Sequence, residues 1–238
     1  MVNNYDILYY YTQWGVYGRD YHVADIPIDK TPSIAYAFYD VKKNSSGFWV
    51  PASTDSWADT DKRYTTDGVA PLDNWNENDG FYGSFGQFKK LKDAGKKFNL
   101  QLSIGGWTLS KNFSKAFEGE AQRQAFCNEV IAIFKKYGIF NGVNIDWEYI
   151  SPVGQNYGNA GNSVGPNDPA NFSAFLKLMR EKFDQNGMKG HKISGALTGS
   201  PEKSKILPIP EMIKYMDEFH VMTYDYNSSA WGPTSAGH

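Results

Sequence analysis

The chain has 238 residues, of which 41% are hydrophobic and 21% charged, as is typical of a soluble globular protein that forms one large domain. Its 24 basic and 26 acidic residues leave a formal net charge of −2, which disfavours nucleic acid and anionic membranes as partners. A single cysteine excludes a disulfide framework, and the four histidines are too scattered for metal-ligand spacing. We therefore expect neither a bound metal nor a cofactor.

The sequence contains no membrane-spanning segment and an unusual number of aromatic residues. No stretch reaches the roughly 20 apolar residues that a membrane span requires, so we expect no membrane partner. Aromatic residues make up 16% of the chain, with 7 tryptophans and 16 tyrosines. They serve either as large core residues or as the walls of a cleft whose rings stack on flat, weakly polar ligands.

Short apolar runs of β propensity alternate with longer segments of helical period, which predicts repeated βα units around a parallel sheet. Strands are predicted at residues 6–11, 33–39, 98–103, 142–147, 191–197 and 218–224. Helical core faces are predicted at Phe85, Phe88 and Leu91, at Phe126, Val130, Ile133 and Phe134, and at Phe172, Phe175, Leu176 and Met179. Asp168 before Pro169 predicts a helix start with the acid as N-cap.

Two segments interrupt this alternation, at residues 43–83 and 151–168. Each follows a predicted strand, so each is expected to form a cleft wall at the carboxyl end of the sheet. No repeat or linker divides the chain, and we expect one domain over residues 1–238. Because a closed parallel barrel needs eight strands, six units indicate either an open sheet or a barrel that lacks its last two units.

The residues with the clearest chemical meaning are Asn144, Asp146 and Glu148. Alternate residues of a strand share one face, about 6.6 Å from each to the next, and the apolar residues between them share the other. Burying carboxyls in a parallel sheet costs several kcal/mol unless they are hydrogen-bonded, so a purely structural ladder is the weaker alternative. The pattern favours acid catalysis by a carboxyl whose pKa is raised by apolar walls and an acidic neighbour.

Residues 141–149 (NGVNIDWEY) resemble the signature of family 18 glycoside hydrolases, the chitinases, which is Asp-x-x-Asp-x-Asp-x-Glu on the fourth strand of the barrel. Residues 103–107 (SIGGW) resemble the third-strand motif, and residues 222–225 (MTYD) the sixth-strand motif. Residues 14–19 (WGVYGR) are similar to the first-strand loop of bacterial chitinases of the A type. The resemblance spans the chain and implies an α/β fold, the (β/α)8 TIM barrel, with about six βα units present.

The resemblance implies an endochitinase that hydrolyses β-1,4 linkages in chitin and N-acetylglucosamine oligomers without a cofactor. Glu148 would protonate the leaving oxygen, while the 2-acetamido oxygen of the substrate closes on the anomeric carbon and the configuration is retained. Asp146 would accept a hydrogen bond from the acetamido N–H. Tyr224 would donate its hydroxyl to the acetamido oxygen, and Asp225 would bind the distorted sugar.

The resemblance also implies a set of substrate-binding residues: Tyr10, Trp14, Arg19, Phe38, Gly105, Gly106, Trp107, Met222 and Trp231. Trp14 and Tyr10 would flank the glycone side and Trp107 the aglycone side, each covering the C–H face of a sugar ring. Phe38 and Trp231 are explained equally well by packing. The two glycines would leave room beside the carboxyls, and a tight strand exit with positive φ is compatible with that role.

The sequence departs from the family pattern at two acids. Asn141 replaces the first Asp of the signature, a structural group, and Asn144 replaces the second, which shares a proton with residue 146. An amide cannot accept that proton, but we expect Asn144 to donate a hydrogen bond to Asp146 and so to lower the pKa of Asp146 relative to a site with two paired acids. On this basis Asn144→Asp is expected to raise kcat and to move the basic limb of the rate profile upward.

The resemblance ends after the sixth strand, so we expect a truncated barrel without strands seven and eight. Its substrate implies a secreted or extracellular role, although we identify no signal peptide within the chain. A second hypothesis is a non-catalytic chitin-binding subunit of a larger secreted or toxin assembly; Glu148 and Asp146 argue against it, whereas the two amides favour it. A third keeps the fold but changes the substrate to peptidoglycan or N-glycan, and Trp14 with Trp107 favours a long chitin chain instead.

Overall fold

The computed structural model describes residues 7–65, 72–73, 80–151 and 156–225. In this part of the chain a curled sheet has the strand order β1-β2-β4-β5-β6-β7, and all neighbours along it are parallel. A further strand, β3, pairs antiparallel with β2. The strands are β1 (Leu8–Thr12), β2 (Ser33–Lys43), β3 (Trp49–Ala52), β4 (Asn99–Gly105), β5 (Gly142–Asp146), β6 (Lys192–Thr198) and β7 (Glu218–Met222).

Helices and helical turns connect the parallel strands. The α-helices are α1 (Gly83–Asp93), α2 (Phe113–Phe117), α3 (Glu120–Tyr137), α4 (Asp168–Gln185), α5 (Pro201–Ser204) and α6 (Ile209–Tyr215). The other turns are 3₁₀ at Gln13–Val16, Val23–Asp25, Ile28–Lys30 and Ser110–Asn112, and π-helical at Trp57–Asp61. None of these helices, within the ranges described, is both long and apolar enough to cross a bilayer.

The six predicted strands and the fold class are confirmed, because each predicted strand overlaps one parallel strand of the sheet. The segment 43–83, which was expected to interrupt the alternation and form a cleft wall, contains β3 and the π-helical turn. β2 runs four residues beyond its predicted end and forms a hairpin with β3, with Asp40 opposite Ala52 and Lys43 opposite Trp49. Pro51 is tolerated in β3 because β3 pairs only with β2 in the described sheet and is an edge strand.

The sheet curls until its first and last strands meet through their side chains. The Tyr10 hydroxyl on β1 lies 3.2 Å from Nδ1 of His220 on β7. Gln101 Nε2 on β4 donates to Glu218 Oε2 on β7 over 2.7 Å. The described strands therefore enclose a polar interior, as six units of a (β/α)8 barrel do.

The hydrophobic core lies between the outer face of the sheet and the helices. The predicted helical stripes are buried there, except that Leu91 is partly exposed at the edge. Trp147 points outward from the sheet and stacks on Phe113 with ring centroids 5.6 Å apart. Phe117 of α2 stacks on Phe175 of α4 at 4.2 Å. Much of the aromatic content is thus core, and the remainder is available to the cleft.

The start of α4 differs from the prediction by one residue. Asn167 is the N-cap, without a side-chain capping bond, and Asp168 begins the helix. The Asp168 carboxylate accepts hydrogen bonds from Ser114 Oγ at 2.7 Å and from the Gly165 N–H at 2.9 Å. Asp168 therefore fastens the 151–168 segment to α2 instead of capping its own helix.

Candidate active site

The polar ladder of β5 faces the interior of the curled sheet, as the alternation predicted. Asn144, Asp146 and Glu148 are 0%, 5% and 8% exposed. Val143 and Ile145 belong to the hydrophobic core on the opposite face. Two carboxyls are therefore enclosed side by side where burial is costly.

The Asn144 amide is hydrogen-bonded to three hydroxyl groups on three other strands. Its Nδ2 donates to Ser103 Oγ at 2.8 Å and to the Tyr10 hydroxyl at 3.2 Å, and its Oδ1 accepts from Ser194 Oγ at 3.0 Å. Ser103 and Ser194 are its register partners on β4 and β6. The register thus gives the amide two of its partners, Tyr10 reaches it from β1, and neither N–H is left for Asp146.

The pKa of Asp146 is raised far above that of a free aspartate. Burial, and then the charge of Glu148, raise the pKa of Asp146 to about 8. Its Oδ1 is buried without a hydrogen-bond partner. The prediction that Asn144 donates a hydrogen bond to Asp146 is therefore wrong, and the decrease in pKa expected from that bond has no basis.

This raised pKa predicts how stability depends on pH. The folded pKa of about 8 lies above the unfolded value of about 3.9, so the folded state holds the proton more tightly. The resulting stability is complete below the unfolded pKa and is lost as the pH rises through about 8, at about 1.4 kcal/mol for each pKa unit. We expect the fall in Tm between pH 5 and pH 9 to be smaller in Asp146→Asn than in wild type.

Thermal unfolding of wild type and Asp146→Asn at pH 5, 7 and 9 measures this difference. Asp184→Asn, at an exposed position on α4, serves as the matched control and should follow wild type. Parallel curves of Tm against pH for wild type and Asp146→Asn would show that the proton on Asp146 does not contribute to the pH dependence of stability.

Glu148 lies just beyond the end of β5, and hydrogen bonds to its backbone N–H and carbonyl groups fix its position. Its N–H donates to Ser110 Oγ at 2.9 Å, and its carbonyl accepts from Asn162 Nδ2 at 2.9 Å. Burial raises the pKa of Glu148 and the Asp225 carboxylate adds to the rise, whereas a hydrogen bond with Tyr149 and the charge of Lys203 lower it. The carboxyl therefore favours its protonated form more than a free glutamate does.

Gly105 and Gly106 give the β4 exit its shape. Their φ angles are 110° and 92°, in the region that favours glycine. A Cβ at Gly105 would lie 2.1 Å from the Asp146 carbonyl oxygen, and one at Gly106 would lie 3.3 Å from the Phe38 ring. The two roles expected for these glycines, a tight turn with positive φ and free space beside the carboxyls, are compatible. The turn brings the end of β4 close to β5, and only residues without a Cβ allow that approach.

A cleft of about 720 Å³ opens above the carboxyls. Eight of its lining residues were singled out from the sequence: Phe38, Gly106, Trp107, Asp146, Glu148, Met222, Tyr224 and Asp225. Five were missed: Tyr149, Thr198, Gly199, Ser200 and Lys203. Asp225 has a φ of 57°, a left-handed conformation that is uncommon outside glycine.

The missed residues were within reach of sequence reasoning. Tyr149 directly follows the β5 motif, and residues 198–203 follow the predicted strand 191–197, at the end where such folds build sites. The Lys203 ammonium lies 4.0 Å from the centre of the Tyr149 ring. Only the fold shows that this cation and Glu148 share one cleft.

Of the two predicted tryptophans that the structure describes, Trp107 lines the cleft, whereas Trp14 does not line it but packs on Phe38, which does. Trp14 is 47% exposed and stacks on Phe38 with centroids 6.2 Å apart. Trp107 is 49% exposed and touches only the edge of Tyr149, at 6.4 Å. Arg19 is exposed and does not line the cleft, and Trp231 lies outside the described residues.

A buried carboxylate fixes the turn that carries Trp14. Asp59, in the π-helical turn, accepts hydrogen bonds from Gln13 Nε2 at 2.6 Å, Tyr36 at 2.5 Å and Ser53 at 2.6 Å. Burial raises the pKa of Asp59, and these hydrogen bonds oppose the rise. Because Gln13 precedes Trp14, Asp59 ties the exposed tryptophan to β2 through buried contacts.

The family model described as "Glycosyl hydrolases family 18" matches residues 6–238. The chain belongs to glycosyl hydrolase family 18. The prediction of this family from the β1, β4, β5 and β7 motifs is confirmed.

Relatives within family 18 are similar over nearly the whole chain. Endochitinase 1 of Metarhizium robertsii is 33% identical over 95% of this chain and 49% of its own length. Chitinase A1 of Niallia circulans is 32% identical over 98% of this chain and 36% of its own length. The catalytic domain of psychrophilic chitinase B from Arthrobacter TAD20 superposes with a TM-score of 0.85 at 32% identity, covering 100% of this chain and 62% of that one. The chain spans about half the length or less of these curated relatives.

Proposed function

We propose that the protein is a chitinase that hydrolyses β-1,4 linkages in chitin and N-acetylglucosamine oligomers with retention of configuration. The observation that carries the proposal is Glu148, a buried carboxyl of raised pKa at a cleft that the exposed Trp107 also lines. The names of the family 18 relatives support the same activity.

Glu148 acts first as acid and then as base. Its proton passes to the leaving glycosidic oxygen as the bond from that oxygen to the anomeric carbon breaks. The acetamido carbonyl oxygen of the same sugar forms the new bond to that carbon, which gives an oxazolinium ion, and no enzyme carboxylate attacks. Water then opens this ring from the face that the leaving group vacated, and Glu148 takes the proton of that water.

Asp146 receives the acetamido N–H of the substrate. Its Oδ1 is buried and has no partner in the free protein, so an N–H from the ligand would satisfy it. Holding the acetamido group in this way orients its oxygen toward the anomeric carbon. Tyr224, half exposed at the cleft, donates to the same oxygen, and Asp225 binds the distorted sugar above Met222.

Aromatic rings bind the polymer on both sides of the carboxyls. On the glycone side we place Trp14 with Phe38 beneath it, and Tyr10 beside that ring. On the aglycone side we place Trp107. Arg19 and Trp231 remain proposed substrate contacts. Burial of C–H faces by neutral rings suits an uncharged polymer.

The motif at residues 14–19 favours the A-type chitinases within the family, and the polymeric substrate favours action outside the cell.

The deciding test is product analysis by ¹H NMR after the protein is incubated with chitin tetramer to hexamer. We expect shorter oligomers whose new reducing ends carry the retained β anomer. Binding without cleavage would favour the second candidate, a chitin-binding subunit of a larger assembly.

Trp107→Ala tests the aglycone assignment. We expect it to weaken binding of chitin hexamer by about 1–3 kcal/mol, the range for removing a large apolar side chain from a contact. Folding stability should change little, since nearly half of the ring surface is exposed in the free protein.

Titration calorimetry and thermal unfolding measure the two effects together. Trp49→Ala is the matched control, because Trp49 lies on β3 outside the cleft lining, between Lys43 and Lys115. Unchanged hexamer affinity with a large fall in Tm would assign Trp107 to packing.

A further inference from the structure

Lys203 brings a positive charge into a cleft whose other charged side chains are acids. Asp146, Glu148 and Asp225 line the same cleft. Among the described residues of the lining, Lys203 has the one basic side chain. It lies outside the four sequence motifs, and the proposed reaction gives it no role.

An aromatic contact fixes the position of the Lys203 ammonium. Its Nζ lies 4.0 Å from the centre of the Tyr149 ring, which is a cation–π contact. Lys203 is half-buried and belongs to the short helix α5, which follows β6 at the carboxyl end of the sheet. The charge is therefore held at the cleft by the packing of its own side chain.

Tyr149 also connects Lys203 to the side of the cleft where we place the aglycone. The Tyr149 and Trp107 rings make an edge contact with centroids 6.4 Å apart. Trp107 and Lys203 thus share a neighbour, and both line the cleft. Because charges in a partly enclosed cleft interact over several ångströms, a sugar that stacks on Trp107 lies within the field of the ammonium.

The charge of Lys203 reaches the position of the cleaved bond. Burial is the main cause of the raised pKa of Glu148, whereas a hydrogen bond with Tyr149 and then the charge of Lys203 lower this pKa. Glu148 gives its proton to the oxygen that joins the two sugars at the cleaved bond. The first aglycone sugar carries that oxygen, so a cation that acts on Glu148 also acts on a charge of this sugar.

At acid pH the neighbouring acids oppose this cation only weakly. Burial raises the pKa of Asp146 to about 8 and also raises the pKa of Glu148. Both carboxyls consequently favour their neutral forms at acid pH. Lys203 is then the main charge that faces a sugar on the aglycone side.

The two sugars of partly deacetylated chitin differ in charge. N-acetylglucosamine is neutral, whereas glucosamine has a free amine that is protonated at acid pH. On the glycone side of the cleaved bond, the proposed mechanism already excludes glucosamine, because this sugar has no acetamido oxygen. The mechanism makes no such demand on the aglycone side, so selection there depends on the residues that line the cleft.

We propose that Lys203 is a specificity-determining residue that excludes protonated glucosamine from the first aglycone position. Like charges brought together in a binding site disfavour the wrong ligand, and the neutral sugar is not affected. The enzyme therefore leaves intact the bonds that join N-acetylglucosamine to a following glucosamine. The inference rests on the proposed function, because the direction of the bound chain is taken from the roles given there to Trp107 and Glu148.

Three tetramers that differ only in their third sugar test the proposal. Sugars one, two and four are N-acetylglucosamine, and the third is N-acetylglucosamine, glucosamine or glucose. Cleavage after the second sugar places the third at the first aglycone position, and mass spectrometry of the products identifies this cleavage. Glucose lacks the acetamido group but is uncharged, so it separates the effect of charge from the loss of the acetyl group.

At pH 5, wild type should cleave the glucosamine tetramer with a lower kcat/KM than the glucose tetramer. Lys203→Gln should reduce the ratio of the two values by about three- to tenfold, as expected when a like charge a few ångströms away is removed from a solvated cleft. A change in the pKa of Glu148 affects both tetramers alike and cancels in this ratio. The fully acetylated tetramer reports the overall activity of each variant.

Two further variants show whether the charge or the side chain as such is responsible. Lys203→Arg keeps the positive charge and should retain the wild-type ratio. Lys205→Gln is the matched control, because Lys205 is exposed and lies outside the cleft lining. It should also retain the wild-type ratio.

Equal ratios in wild type and Lys203→Gln would overturn the proposal, as would the same change in Lys203→Arg. If wild type cleaves none of the three tetramers, the proposed function fails. Calorimetric binding of the glucosamine and glucose tetramers to wild type and Lys203→Gln then decides the inference, because the repulsion acts on binding as well as on cleavage. Equal ratios of the two affinities in both proteins would overturn it.

Discussion

Glu148→Gln is expected to lose nearly all turnover of chitin oligomers while binding them almost as tightly as wild type. Glutamine has the shape of glutamic acid but cannot give its proton to a leaving oxygen. General acid catalysis contributes roughly 10²- to 10⁴-fold to such reactions, so kcat should fall by at least about that factor. KM or Kd should change little, because only an interaction of the transition state is removed.

The structure makes this variant a clean test. The Glu148 backbone is fixed from both sides by Ser110 and Asn162, and neither bond involves the carboxyl group. The side chain should therefore stay in place after substitution. Hydrolysis of chitin hexamer by chromatography and binding of the same hexamer by calorimetry give the two quantities.

Glu202→Gln is the matched control, since Glu202 is an exposed glutamate on the neighbouring helix α5. It should retain the wild-type rate. A rate for Glu148→Gln within a few fold of wild type would remove Glu148 from the role of acid, and a parallel loss of binding would assign it to substrate contact instead.

The strands and core faces were predictable because they depend on local pattern. In β5, Val143 and Ile145 form one apolar face, and in α3, Phe126, Val130 and Phe134 recur at helical spacing. Burial of these faces in the core therefore stabilises the strand and the helix that the pattern predicts. β3 was not predictable in the same way, because four residues that include Pro51 gain their strand conformation only by pairing with the extension of β2.

The candidate site shows the same division. Glu148 and Asp146 follow from the alternation along one strand, and Trp14 and Trp107 from loops beside strands. The partners of Asn144 do not, because Ser103, Ser194 and Tyr10 are brought to it by the register of three other strands. A hydrogen bond between strands distant in sequence carries no local signal, which is why the hydrogen bond from Asn144 to Asp146 was predicted wrongly.

Asn144→Leu is expected to destabilise the protein by about 2–4 kcal/mol. Leucine is larger than asparagine and cannot form hydrogen bonds, so it leaves the hydroxyls of Ser103, Ser194 and Tyr10 without the amide and must also fit into a fully buried site. A buried polar group that loses its partner costs about 1–3 kcal/mol, and partial rearrangement among three hydroxyls keeps the total below the sum. Urea unfolding of wild type and variant measures the change in the free energy of unfolding.

Asn144→Asp is the matched variant, because a carboxyl can accept hydrogen bonds from the same three hydroxyls, which rotate to donate. We expect it to retain most of the stability that Asn144→Leu loses. It also adds a third carboxyl to Asp146 and Glu148, and a like charge raises the pKa of a neighbouring acid. The basic limb of kcat against pH should therefore move upward, whereas a rise in the maximum of kcat is no longer expected, since residue 144 makes no hydrogen bond to Asp146. Equal stability of wild type, Asn144→Leu and Asn144→Asp would show that the hydrogen bonds of the amide do not stabilise the fold. A pH profile of Asn144→Asp that superimposes on that of wild type would show that a charge at residue 144 does not affect the pKa values of Asp146 and Glu148.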